Sequence, residues 1–148
     1  MLVAGPGPRG SRWTYVTAGC WALWTRAGAG TEFLLTAAVR DQRFVDLAAR
    51  VAHYHASYAL DLVHSVPLGR PLVPGASCDH LLVTLPHPYG PALEHCPLPA
   101  ARTARLLWLL PVTGAEIAFR RATSHEALEE RFGAEVIDPT DPFRRSVA

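Results

Sequence analysis

Two uninterrupted apolar runs constrain this chain more than any other feature: Leu81-Leu82-Val83-Thr84-Leu85, followed by Pro86, and Leu106-Leu107-Trp108-Leu109-Leu110, followed by Pro111. A strand with one face in water alternates polar and apolar residues, whereas a strand covered on both faces does not. The runs therefore predict two central strands of a sheet with other elements packed over it. The 148 residues are enough for one domain and one hydrophobic core. The fold class expected is α+β, or mixed α/β: a single domain whose mixed sheet of roughly four to six strands is packed by helices.

The rest of the chain supplies parts for that plan. Met1 to Arg12, rich in Gly and Pro, reads as a flexible leader, and residues 13–148 as the domain. Trp13-Thr14-Tyr15-Val16-Thr17 and Glu32-Phe33-Leu34-Leu35-Thr36 read as a β-hairpin. Asp41 is placed to cap a helix of about five turns. Its apolar stripe would be Phe44, Leu47, Ala48, Val51, Tyr54, His55 and Tyr58. Leu62 to Ser77 is expected as an irregular crossing and Pro86 to Pro99 as a Pro-rich loop. Thr113-Gly114-Ala115-Glu116 matches a capping box. Ser124 would cap a last helix that Gly133 closes.

Composition excludes several chemistries. All 14 basic residues are Arg and there is no Lys, so a P-loop and an amine-dependent cofactor enzyme are ruled out. Fourteen Arg against 13 acidic residues give a net charge of +1, without the basic excess that phosphate-dominated binding requires. No nucleic-acid partner and no cofactor are expected. No apolar run is long enough to span a bilayer, so no membrane partner is expected. Arg9 and Arg12 before the uncharged stretch Trp13 to Trp24 imitate an export signal. That stretch is rich in Trp, Tyr and Thr where a signal core is Leu- and Ala-rich. With three cysteines at irregular spacing, the location expected is the cytoplasm.

Chemistry-bearing residues concentrate in Cys78-Asp79-His80, His87-Pro88-Tyr89-Gly90 and His95-Cys96. Their spacing lacks the paired knuckles of a structural zinc site. Alternation in an extended chain would turn Cys78 and His80 to one face and Asp79 to the other, so the three make no triad by themselves. Arg70, Asp79, His80, His87 and Tyr89 are candidates for a protein-binding loop. Trp13, Tyr15, Trp21 and Trp24 are candidates for an aromatic face, because Trp, Tyr and Arg dominate interface hot spots.

The segment from Gly69-Arg70-Pro71 through Cys78-Asp79-His80-Leu81-Leu82-Val83 to Pro88-Tyr89-Gly90-Pro91 resembles the suppressor-of-fused-like domain of bacteria. Trp13-Thr14-Tyr15, His53-Tyr54-His55, Trp108-Leu109-Leu110-Pro111 with Glu116, and Ser146-Val147 extend the likeness to residues 13–148. The resemblance implies a mixed α/β domain without established catalysis. In animals the related domain binds a transcription-factor peptide partly by strand addition, and bacterial members have been proposed as immunity proteins against toxins. The implied function is a non-enzymatic protein-binding module, plausibly an immunity protein whose partner is a toxin or regulatory peptide. The competing reading is a small Cys/His- or metal-dependent hydrolase using Cys78, His80 and His87. Members of the family usually carry more chain before the Trp-Thr-Tyr strand, so an uncovered sheet edge is expected here. His87 stands where the family commonly has Tyr.

Overall fold

The two apolar runs form strands β5 (His80–Thr84) and β7 (Arg102–Val112), and both lie inside the sheet. Leu81, Val83, Leu107 and Leu109 are completely buried, as strands without alternation require. The computed structural model describes residues 1–8, 10–23 and 29–148. Within these, the other strands are β1 (Leu2–Ala4), β2 (Trp13–Val16), β3 (Ala29–Ala37), β4 (Ser65–Pro67) and β6 (His95–Leu98). The helices are α1 (Gln42–Tyr58), α2 (Gly114–Ala122) and α3 (His125–Ala134). The sheet runs β1-β2-β3-β7-β5-β4, with β6 also on β7. It is mixed, because β3 and β7 are parallel while β1, β2 and β3 are antiparallel. This is the α+β class expected, with seven strands where four to six were predicted.

The chain divides into two compact units, and the first comprises Met1–Leu62 with Val83–Leu109. Here β2 pairs with β3 through Tyr15↔Leu35 and Thr14↔Thr36, the hairpin read from the sequence. Asp41 caps α1 by accepting from the Arg43 amide at 2.9 Å. Phe44, Leu47, Ala48, Val51 and His55 are buried, with Phe44 5.5 Å from Tyr15 and His55 5.1 Å from Phe33, ring centre to ring centre. Tyr54 and Tyr58, expected on that stripe, are exposed instead and stack on each other at 4.5 Å. Tyr54 lies about 60° around the helix from Val51, at the margin of the stripe. Tyr58 ends the helix, where Ala59 reverses the chain at φ 45°.

Three segments expected to be irregular hold strands. Leu2–Ala4, inside the leader, pairs with Thr14–Val16, so the outer edge of β2 that the sequence left uncovered is covered. Within the Pro86–Pro99 loop, His95–Leu98 pairs with Arg102–Arg105. Ser65–Pro67, inside the crossing, pairs with His80–Leu82 in the second unit.

That second unit comprises Val63–Leu82 and Leu110–Ala148. Thr113 and Glu116 make the reciprocal capping box of α2, and Ser124 caps α3 through the Ala127 amide. Gly133 does not close α3, which runs on to Ala134. The C-terminal tail is tied down by Arg144, whose guanidinium donates to both carboxylate oxygens of buried Glu116, at 2.5 and 2.8 Å. Among the described residues, no helix is long and apolar enough to cross a membrane.

Candidate protein-binding surface

The predicted loop residues divide between the two units: Arg70, Asp79 and His80 fall in the second, His87 and Tyr89 in the first. The second-unit group is built on a strand hairpin. Strand β4 pairs with β5 in the register Ser65↔Leu82, Val66↔Leu81, Pro67↔His80. The Leu68 amide donates to the Asp79 carbonyl at 2.9 Å, which continues the ladder by one residue. Antiparallel pairing alternates, so the backbone groups of Val66 face β5 while those of Ser65 and Pro67 face outward. Since β4 ends the sheet order, that outward row is a free edge among the described residues. It offers one donor, the Ser65 N–H, and two acceptors, the Ser65 and Pro67 carbonyls.

Beside this edge, Asp79 and His80 meet, with Asp79 Oδ1 2.7 Å from His80 Nδ1. Alternation predicted the two side chains on opposite faces. Asp79 precedes β5, and its amide donates to the Val112 carbonyl at 3.2 Å, so strand alternation does not govern it. A Cβ built on Gly114 would lie 3.5 Å from His80 Cε1 and 3.7 Å from both Asp79 carboxylate oxygens. The pair therefore sits against the first turn of α2, where the positive end of the helix dipole favours a carboxylate. Both side chains keep solvent access, 23% for His80 and 44% for Asp79. Arg70 is exposed in the bend after β4. Exposed Phe143 lies near Gly75 in the following loop and went unnoticed in the sequence, since only the tail's path brings it there.

The remaining candidates behave differently. His87 is exposed in a short 3-10 turn, and the Tyr89 hydroxyl meets Thr14 Oγ1 of β2 at 3.3 Å. Tyr15 is a core residue, 1% exposed, and does not belong to an aromatic face. Its hydroxyl donates to the Val39 carbonyl and accepts from the Asp41 amide, fixing the turn between β3 and α1. Trp13 and Trp21 are half-buried, with Arg40 and Arg102 over their rings at 5.4 and 4.8 Å. Trp24 lies outside the described residues.

The hydrolase constellation meets a physical obstacle. Cys78 is completely buried, and desolvation pushes its thiol up to about 11. A thiol so placed stays protonated at neutral pH and is a poor nucleophile. Among the described residues no group of three or more His, Cys, Asp or Glu side chains is gathered to hold a metal ion.

The sequence matches the family described as Suppressor of fused protein (SUFU) over residues 1–145. The chain belongs to the SUFU family. A SUFU homologue from Neisseria gonorrhoeae FA 1090 is 30% identical, with a TM-score of 0.83 over 99% of this chain and 76% of that one. Drosophila Suppressor of Fused, at 15% identity and a TM-score of 0.72, shares the fold over 92% of this chain and 39% of that one. So does a chain of the Sufu–Fu complex, at 13% identity and a TM-score of 0.71 over 92% of this chain and 70% of that one. Comparison with curated proteins gives no match.

Proposed function

We propose that this SUFU-family chain is a non-enzymatic protein-binding module, acting as an immunity protein that neutralises a toxin, and that its partner docks on the β4 edge. The observation that carries this reading is the free edge itself, with Asp79–His80 against its inner neighbour and Arg70 on the bend that follows. An extended partner segment would exchange main-chain hydrogen bonds with Ser65 and Pro67, and the charged side chains would select its sequence. Pro67 lacks an N–H and the strand has only three residues, so pairing stays short and specificity falls to Arg70, Asp79 and His80.

The test co-expresses the chain with the product of a toxin-like gene beside its own, scoring growth rescue and the affinity of the purified pair. The Ser65→Pro/Arg70→Glu variant, which loses the outward donor and reverses the flanking charge, should bind at least tenfold more weakly while melting like wild type. Failure of the wild-type chain to bind or rescue would overturn the immunity reading. Equal binding by the variant would move the interface away from β4.

A further inference from the structure

In the first unit, away from the β4 edge, a cleft of about 490 Å³ opens between the start of the chain, β2 and the turn after β5. This volume falls in the range of small-molecule pockets, about 300–1,000 Å³. Its lining is Gly5, Gly7, Pro8, Gly10, Ser11, Arg12, Thr14 and Tyr89. Gly7 and Gly10 bridge each other through both amides, at 2.9 and 3.1 Å, which fixes one wall as a narrow turn without side chains. Gly5 lies against Trp13, where an added Cβ would come within 3.3 Å of the indole. The glycines thus leave bare backbone along one side, and the Tyr89 ring supplies a flat apolar wall on the other.

The polar groups around this space are of one kind. Arg12 contributes a guanidinium, while Ser11, Thr14 and Tyr89 contribute hydroxyls, and none of the described lining residues is acidic. The Thr14 and Tyr89 hydroxyls meet at 3.3 Å, so one of their two protons remains to be donated elsewhere. A second observation lies behind Thr14. Thr36 is its direct cross-strand partner and shares its face of the sheet, and the buried Thr36 hydroxyl has no hydrogen-bond partner in the protein. A buried polar group left unmatched calls for a polar group from outside.

We propose that this cleft is a binding site for a carboxylate carried on a flat apolar body, either a free small acid or the C-terminal residue of a peptide. The carboxylate would face Arg12 and the hydroxyls, and the body would lie between Tyr89 and the glycine turn. Guanidinium and hydroxyl donors suit a carboxylate, which has only acceptors to offer.

The test is an amide-resolved NMR titration of the full chain with benzoate, benzamide and acetate. Two further probes are the tripeptide Gly-Gly-Phe and its C-terminal amide. Benzoate should produce saturable shifts at Gly7, Gly10, Thr14 and Tyr89, with affinity at least tenfold above that of benzamide and of acetate. Arg12→Gln should abolish the preference for benzoate over benzamide without altering the melting curve. Tighter binding of the free tripeptide than of its amide and of benzoate would assign the site to a peptide terminus. Tighter binding of benzoate would assign it to free acids. Equal affinity for benzoate and benzamide, or no saturable shift at these residues, would overturn the proposal whatever the outcome at β4.

Discussion

Glu116 and Arg144 lie 28 residues apart, yet together they anchor the C-terminal tail. Glu116 is completely buried and its carboxylate accepts four hydrogen bonds: from Thr113 N–H at 2.9 Å, Val147 N–H at 3.0 Å, and two Arg144 nitrogens at 2.5 and 2.8 Å. Arg144 also donates to the Pro111 carbonyl at 3.0 Å and lies 5.0 Å from the Phe132 ring centre. Burial raises the Glu116 carboxyl, but the Arg144 hydrogen bonds and the Thr113 and Val147 amides outweigh it and hold the group below its usual range. Removing one partner of such a pair strands a charge in a dry site, at a cost of about 3–5 kcal/mol. Arg144→Met should lose roughly that much stability in urea titrations. The Glu116→Gln/Arg144→Met double variant should recover part of the loss, because Gln keeps the cap without the charge. A loss below about 1 kcal/mol for the single variant would mean that solvent reaches the pair and screens it.

At the scale of elements, the turn between β6 and β7 is the clearest local mismatch. Ala100 and Ala101 both take positive φ, 61° and 56°, as the two central residues of a tight primed hairpin turn must. Alanine in that region is strained by about 1–2 kcal/mol per residue, while Asn and Gly tolerate it. Ala100→Asn/Ala101→Gly should therefore raise unfolding stability by about 1–2 kcal/mol by chemical denaturation. An unchanged or lower midpoint would refute the strain. The same hairpin marks a limit of sequence reading. The caps at Asp41, Thr113 and Ser124 were legible because donor and acceptor lie two or three residues apart. Strand β6 was not, because His95, Cys96 and Pro97 are all exposed and carry no alternation, and only pairing with β7 makes them a strand. β1 escaped detection for the same reason, being exposed along all three residues. Of the binding candidates, Arg70, Asp79 and His80 were legible as a motif. Their placement beside a free edge depends on β4, whose single buried residue gives no pattern.

Across the whole molecule, two buried titrating groups set how stability responds to acid. His55 packs edge-on against Phe33, and desolvation lowers its pKa from the ordinary 6.5 despite the opposing pull of Asp61, Glu32 and the Leu60 backbone. The folded state therefore resists protonating His55 when the unfolded chain already binds a proton. Below pH 6.5 the unfolded state gains protons that the native state lacks, and stability declines as pH falls until His55 protonates in the fold as well. Glu116 acts in the same direction in a lower window. Its folded pKa is depressed, so its contribution is fully present above the ordinary 4.5 and is lost as pH falls through the folded value. Stability measured by urea unfolding from pH 8 to pH 4 should hold level to about 6.5, decline gently, and then fall more steeply below about 4.5. His55→Phe keeps an aromatic ring on Phe33 and removes the titration, so it should flatten the upper decline while leaving the lower one intact. An unchanged slope between pH 6.5 and 5 in that variant would mean that a group other than His55 drives the upper decline.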